Sequence, residues 1–234
     1  MDHNIFGFTF SKPIVITEEA EQKIRNLYEN KEKIAYLTFD DGPTEKVTPN
    51  ILDILDKLQV KANFFVVGKH VKEHPELIQR QYNSGHFIAN HGYSHNNAKL
   101  YQSKKAFLKE IQNTDKEIAK ALGLSHYSCH LFRFPNGFQT NLYTAEKQNC
   151  VTYLKQIDYT YIDWNVVNND SVQKASPSQL LNNLKKGCHN KGTIVVLMHD
   201  TGDVNNTYDI LEDSILFLKE QGYVFQTFHE LLEI

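Results

Sequence analysis

Leu37-Thr38-Phe39-Asp40-Asp41-Gly42-Pro43 continues the apolar run Ile34-Ala35-Tyr36-Leu37 and ends in a Gly-Pro break. The pattern reads as a buried strand that stops abruptly, with two adjacent carboxylates at its C-terminal end. Neighbouring side chains on a strand point to opposite faces. Where the chain turns, both can reach one cleft with different neighbours. Carboxylates in different environments can hold different jobs, one binding a metal while the other takes a proton. Taken alone, Asp40-Asp41-Gly42 is better read as an ordinary turn, since Asp and Gly are turn residues. The histidines downstream reverse that reading.

Working outward, apolar residues recur with helical period over 51–58, and 62–67 is a second apolar strand ended by Gly68. Pro75 opens a helix over 75–82, and 85–90 is a short strand that delivers His91. A long polar helix at about 103–121 carries Phe107, Ile111, Ile118 and Leu122 on one stripe. Strands follow at 130–134, ended by Pro135-Asn136-Gly137, and at 159–162, with a helix from 142 to about 155 between them. Pro177 opens a helix to about 186, then come strand 193–198, a helix at about 207–220 and strand 224–227. Upstream, 1–17 read as an extended lead with strand character at 6–10 and 13–16. Thr17 and the acids Glu18 and Glu19 mark the start of a helix running to about 30. Strands alternate with helices throughout, which implies parallel strands and crossover helices, an α/β fold. The polar residues of interest sit just after strands, and in a parallel barrel those ends share one face.

Composition narrows the classes. The 234 residues are 41% hydrophobic and 23% charged, as in ordinary globular domains. No repeat, low-complexity segment or linker divides them, so one domain is expected. A net charge of −3 gives no reason to expect nucleic acid as a partner. Eleven histidines, several of them clustered, raise the expectation of a metal. Cys129, Cys150 and Cys188 lack any C-x-x-C pairing, and their odd number excludes a full disulfide framework. One bridge or three free thiols both fit; for Cys129 a buried, small apolar role is the better reading. No basic region followed by a long apolar run opens the chain, so neither a signal peptide nor a membrane span is read in these residues.

His91-Gly92-Tyr93-Ser94-His95 sets two histidines four apart, a spacing at which both rings can face one way on a helical turn. The H-E-x-x-H zinc motif has this spacing but carries its base between the histidines. Gly, Tyr and Ser offer none here, so a base must come from elsewhere, and Asp40 or Asp41 is available. Two His and one Asp leave coordination positions open, the catalytic rather than the closed structural arrangement. Such a site polarises carbonyls and lowers the pKa of bound water.

Together, Thr38-Phe39-Asp40-Asp41-Gly42-Pro43, Phe64-Phe65-Val66-Val67-Gly68 and Gly85-His86-Phe87-Ile88-Ala89-Asn90-His91-Gly92-Tyr93-Ser94-His95 resemble the polysaccharide deacetylase family (the NodB-homology domain, carbohydrate esterase family 4). The resemblance covers about 30–234, with at least five motifs in the family's order. It implies a distorted parallel (β/α) barrel of about seven strands, with 1–30 as an N-terminal extension packing on it and 31–234 as the catalytic domain. It implies Asp40 as catalytic base and Asp41, His91 and His95 as metal ligands. In Arg133-Phe134-Pro135 it makes Arg133 the residue that orients the base, and the N–H of Asn136 an oxyanion donor. Within Trp164-Asn165-Val166-Val167-Asn168-Asn169-Asp170 it makes Asp170 the tuner of an acid histidine. In Leu197-Met198-His199 that acid is His199, and Leu197 lines the acetyl pocket. These types suit amide hydrolysis, which needs an activated water, a stabilised oxyanion and a proton for the departing amine.

Three positions depart from the family's pattern. Gly92 stands where Ser or Thr is usual, so a hydrogen bond bracing the loop is expected to be missing. Asn136 replaces a common Tyr; the backbone donor survives while a groove wall changes. Ser171 replaces a Trp, and Trp164 is expected to fill that role near the site. The expected enzyme is a metal-dependent hydrolase that removes N-acetyl groups from N-acetylglucosamine units of a cell-wall polymer, with peptidoglycan as the leading choice. Chitin oligomers, another exopolysaccharide, acetyl-xylan and an inactive carbohydrate-binding barrel are the alternatives. A glycosidase ranks low, because adjacent Asp40 and Asp41 cannot flank a glycosidic bond from opposite sides. Zn²⁺ is the expected cofactor, with Co²⁺, Ni²⁺ or Fe²⁺ also accepted by such ligands. A monomer acting on an acetylated glycan, outside the cell or at its surface, is what the resemblance implies; a cytoplasmic protein starting at Met1 is the alternative.

Overall fold

β1 (Ile34–Asp40) is buried at every position after Ile34, as a strand covered on both faces must be. A computed structural model of the chain describes it and the rest of residues 16, 18–172, 174–203 and 205–232. The strand character expected at 6–10 and over 13–15, and the cap expected of Thr17, lie outside the described residues. The strands that follow β1 are β2 (Asn63–Val66), β3 (Phe87–Asn90), β4 (Leu131–Phe132), β5 (Thr160–Tyr161), β6 (Val166–Val167), β7 (Ile194–His199) and β8 (Val224–Phe225). Around them lie α1 (Glu18–Asn26), α2 (Thr48–Leu58), α3 (Gly68–Glu73), α4 (Pro75–Asn83), α5 (Asn97–Leu100), α6 (Lys104–Leu122), α7 (Thr144–Lys155), α8 (Pro177–Gly187), α9 (Tyr208–Glu220) and α10 (Phe228–Leu232).

Seven strands lie in the order β5-β4-β3-β2-β1-β7-β6, and β8 pairs with the first two residues of β1. Every pairing is parallel. β5 and β6 stand at opposite edges, yet only 162–165 join them. That link spans at most about 18 Å from Tyr161 to Val166. The edges must therefore curl towards each other, which makes the sheet a barrel whose seam carries no ladder among the described residues. The expected distorted parallel barrel is what forms.

Alternation along β1 sorts its side chains. Ala35, Leu37 and Phe39 pack with Ile51 and Leu55 of α2 and Leu211 and Ile215 of α9. Tyr36 faces the other way, in a cluster with Phe65, Phe87 and Val195. Phe228 plugs the N-terminal end of the barrel, stacked on Tyr36 with ring centroids 5.0 Å apart. Each buried Phe contributes roughly 1.5–3 kcal/mol relative to exposure. Thr38 and Asp40 continue the inward face of β1, and the register sets them beside Leu197 and His199 of β7. Cys129, Cys150 and Cys188 are free and buried.

The short elements α3, α5, α10 and β6 were not expected. Six, four, five and two residues are too few to show a period.

Candidate active site

Asp40 and Asp41 stand at the top of β1, where the chain breaks away. Beside them the carboxylate of Asp200 occupies the space a Cβ at Gly42 would need, so only glycine fits there. Asp200 accepts from Thr48 Oγ1 at 2.9 Å, and burial pushes its carboxyl up to about 7. Asp41 has φ +80, which swings its side chain off the strand axis towards the histidines. His91 follows β3 and is buried. The helical turn expected for 91–95 does not form. Gly92 at φ +82 and His95 at φ +51 make it an irregular loop, and the two rings converge through that backbone instead.

Asp41 Oδ1 lies 3.3 Å from His91 Nε2 and 3.1 Å from His95 Nε2. One ligand atom from each of the three residues falls within 4.8 Å of the others. The tautomer of His91 follows from its other nitrogen. Nδ1 sits 2.8 Å from the Arg133 carbonyl, which can only accept, so Nδ1 carries the hydrogen. The other nitrogen, Nε2, faces Asp41; burial pushes the His91 pKa down, but the Asp40 and Asp41 carboxylates outweigh it and raise it. Asp41 Oδ1 is itself buried without a hydrogen bond. Burial would raise the Asp41 carboxyl, but His91, His95 and His199 together hold it well below the usual carboxylate range. Burial and His91 lower the pKa of His95, keeping its ring neutral. Two converging ring nitrogens and an ionised carboxylate suit a divalent cation, which would take the place of the proton on His91 Nε2, so the donor set fits a metal.

Asp40, 3% exposed, accepts at Oδ1 from Arg133 Nη1 at 2.8 Å. Arg133 is fully buried. Its guanidinium also donates to Thr38 Oγ1 (2.7 Å), the Ile162 carbonyl (3.2 Å) and the Asp163 carbonyl (3.1 Å). The guanidinium carbon stacks 3.9 Å from the Phe65 ring centre. Arg133 thus touches both parts of the site, Asp40 by its side chain and His91 by its carbonyl. Thr38 and Asp163 were not singled out from sequence. Thr38 carried a signal, a polar residue two before Asp40 and so on the same strand face. Asp163 also accepts the N–H groups of Phe138 and Gln139 at 2.9 and 3.2 Å, holding the loop after Pro135.

His199, at the end of β7, gives Nδ1 to Asp170 Oδ1 at 2.7 Å. Asp170 Oδ2 accepts from the His199 N–H and from Thr207 Oγ1, both at 2.8 Å. Burial pushes the His199 pKa down, but the hydrogen bond and charge of Asp170, with Asp40 and Asp41 behind, bring it up to about 9. The ring is therefore a cation at neutral pH, its Nδ1–H held by Asp170.

Asn136 sits at φ +65, a conformation Asn tolerates better than most residues. Its N–H makes no hydrogen bond among the described residues. Its Oδ1 accepts from Asn97 Nδ2 at 2.7 Å, a bridge to α5. Leu197 is 8% exposed, one residue pair below Asp40 and His199 on the inward face. Trp164 covers Gly137 and lies 5.6 Å from the Arg133 guanidinium, while Ser171 is exposed. The structure thus brings all ten expected residues, Asp40, Asp41, His91, His95, Arg133, Asn136, Trp164, Asp170, Leu197 and His199, to one end of the barrel.

Residues 28–162 match the family model described as polysaccharide deacetylase. A peptidoglycan-N-acetylglucosamine deacetylase of Bacillus cereus is 34% identical over 201 residues, 85% of this chain and 70% of that protein. The catalytic domain of a peptidoglycan N-acetylglucosamine deacetylase from Eubacterium rectale superposes with a TM-score of 0.75 at 32% identity, covering 83% of this chain and 88% of that one. A Streptococcus mutans CE4 esterase gives 0.77 at 29% identity, covering 91% and 92%. Among curated relatives the chain spans 66%, 70% and 72% of three proteins' lengths. The shared motifs, the barrel and these matches place the chain in the polysaccharide deacetylase family of hydrolases.

Proposed function

We propose that this protein is a metal-dependent hydrolase that removes the N-acetyl group from N-acetylglucosamine residues of peptidoglycan, releasing acetate and leaving a free amine. The observation that carries the chemistry is the convergence of Asp41, His91 and His95 beside a separately held carboxylate, Asp40, and a separately held imidazolium, His199. The polymer is taken from the relatives' substrates.

Asp41, His91 and His95 hold a divalent cation, Zn²⁺ being proposed, with Co²⁺, Ni²⁺ or Fe²⁺ as substitutes. When bound it polarises the acetyl carbonyl and lowers the pKa of water. The two oxygens of Asp40 have different work. Oδ1 is committed to Arg133, and Oδ2 lies 3.9 Å from His91 Nε2, on the side of the ligands. Oδ2 is therefore the general base that takes the water's proton. The N–H of Asn136 donates to the oxyanion, a type of contact worth about 3–4 kcal/mol where one such donor is removed. His199 Nε2 then gives its proton to the departing amine, while Asp170 holds Nδ1 and stabilises the cationic ring. Leu197 and Trp164 wall the acetyl group. In this reading residues 31–234 are the catalytic domain and 1–30 its N-terminal extension, of which the described residues 18–30 pack on it. Ala20, Ile24 and Leu27, buried in the cluster that holds Tyr36 and Phe228, support that packing. Action on a wall polymer places the enzyme outside the cytoplasm.

The test is acetate release from purified peptidoglycan and from N-acetylglucosamine oligomers, using protein stripped by chelator and resupplied with Zn²⁺ or Co²⁺. Metal-restored release, faster on peptidoglycan, is expected. Release that ignores the chelator would sink the metal chemistry. Faster release from free oligomers would move the substrate to chitin-type chains.

A further inference from the structure

We propose that Glu110 of α6 is a positioning residue that aims the His91–His95 loop at the cation. This rests on the reading of Asp41, His91 and His95 as ligands and extends it to a residue without contact to the metal. Residues 92–94 belong to neither strand nor helix, so their backbone groups need partners from outside the loop. A single oxygen, Glu110 Oε2, accepts from the N–H of Tyr93 (2.9 Å), the N–H of Ser94 (2.7 Å) and Ser94 Oγ (3.0 Å). Asn90 Oδ1 takes the N–H of Gly92 at 2.9 Å. On the opposite side the carbonyls of Gly92 and Tyr93 accept from the N–H groups of Gly68 and Lys69, each at 3.0 Å. The loop is clamped, its donors by side-chain oxygens and its carbonyls by the first turn of α3.

A carboxylate suits this place. It is acceptor-only, can serve several donors at once, and makes charge-assisted bonds about twice as strong as neutral ones. The two ligand rings depend on the clamp unequally. His91 is also fixed through Nδ1 by the Arg133 carbonyl. The His95 ring makes no hydrogen bond among the described residues, so its aim comes from the backbone that Glu110 holds. Gly92 contributes no side chain, and its φ of +82 would strain one. The hydrogen bond expected to be missing at position 92 is thus supplied from a helix 16 residues beyond Ser94.

The experiment is competition titration of Zn²⁺ against a chromophoric chelator, on wild type, Glu110→Ala, Glu110→Gln and Lys109→Ala, all stripped of metal first. Removing outer partners of metal ligands typically weakens affinity about 10–100-fold. That loss is expected for Glu110→Ala, with a smaller loss for Glu110→Gln, which keeps an uncharged acceptor. Lys109→Ala, exposed on the same helix, should bind like wild type. Melting curves of the metal-free proteins separate folding from affinity. Wild-type affinity in Glu110→Ala overturns the proposal, including the case where only its metal-free melting temperature falls. If Glu110→Ala does not fold, Ser94→Ala, which removes one of the three donors, decides by the same criterion. A wild type that takes up no Zn²⁺ overturns the ligand reading and this inference with it. Zn²⁺ binding by wild type and Glu110→Ala alike overturns the inference alone.

Discussion

Replacing Arg133 by Met keeps a long apolar stem and removes the charge. Four hydrogen bonds go, to Asp40, Thr38 and the carbonyls of Ile162 and Asp163. The largest consequence is a carboxylate, Asp40, left 3% exposed with its cation gone. Breaking one side of a buried pair costs about 3–5 kcal/mol. At about 2–4 °C per kcal/mol for a chain of this size, the melting temperature should fall by roughly 6–20 °C. Domains hold about 5–15 kcal/mol in all, so the variant should still fold. The cost lies in the orphaned charge, so adding Asp40→Asn should restore more than half of the loss. Thermal unfolding of chelator-treated protein, followed by circular dichroism at neutral pH, measures both effects. The reasoning is refuted if Arg133→Met melts within about 2 °C of wild type. It is equally refuted if the double variant is less stable than the single one.

Asp170→Asn should shift the alkaline limb of kcat to lower pH. The Asp170 charge favours the protonated ring, and in wild type His199 stays protonated up to about 9; an unmoved limb would contradict its role as acid. Asp41→Asn should abolish metal-dependent stabilisation. Saturating wild type at 100 times Kd contributes about 2.7 kcal/mol, a rise of roughly 5–11 °C that the variant should lack in a thermal shift assay. Asp115 accepts from Tyr159 Oη and Asn90 Nδ2, and burial outweighs those bonds to push its carboxyl up to about 7. The folded state then holds a proton that the unfolded chain releases near its ordinary value of about 4, so Asp115 costs stability as pH rises through that interval. Urea midpoints should show Asp115→Asn gaining on wild type between pH 5 and 7, and a constant difference would count against this.

The chain's own pattern determined the alternation of strands and helices, the parallel sheet and the clustering of polar residues beyond strand ends. Period and turn chemistry are local properties, readable within a window of a few residues. The motifs carried the ten candidate site residues for the same reason, each being a short stretch around one strand end. Local reading failed where partners are far apart in the chain. The spacing of His91 and His95 suggested a helical turn, but Glu110, α3 and Asn90 impose a loop with left-handed residues. Thr38 and Asp163 looked like ordinary strand and turn residues until Arg133, 95 residues beyond Thr38, entered the barrel between them. The α10 plug and the two-residue β6 carry too little period to stand out. Which oxygen of Asp40 is free, which nitrogen of His91 bears hydrogen and what charge His199 carries were decided only by tertiary packing. Each depends on a partner brought in by another strand or loop, at distances where a few tenths of an ångström settle the bond.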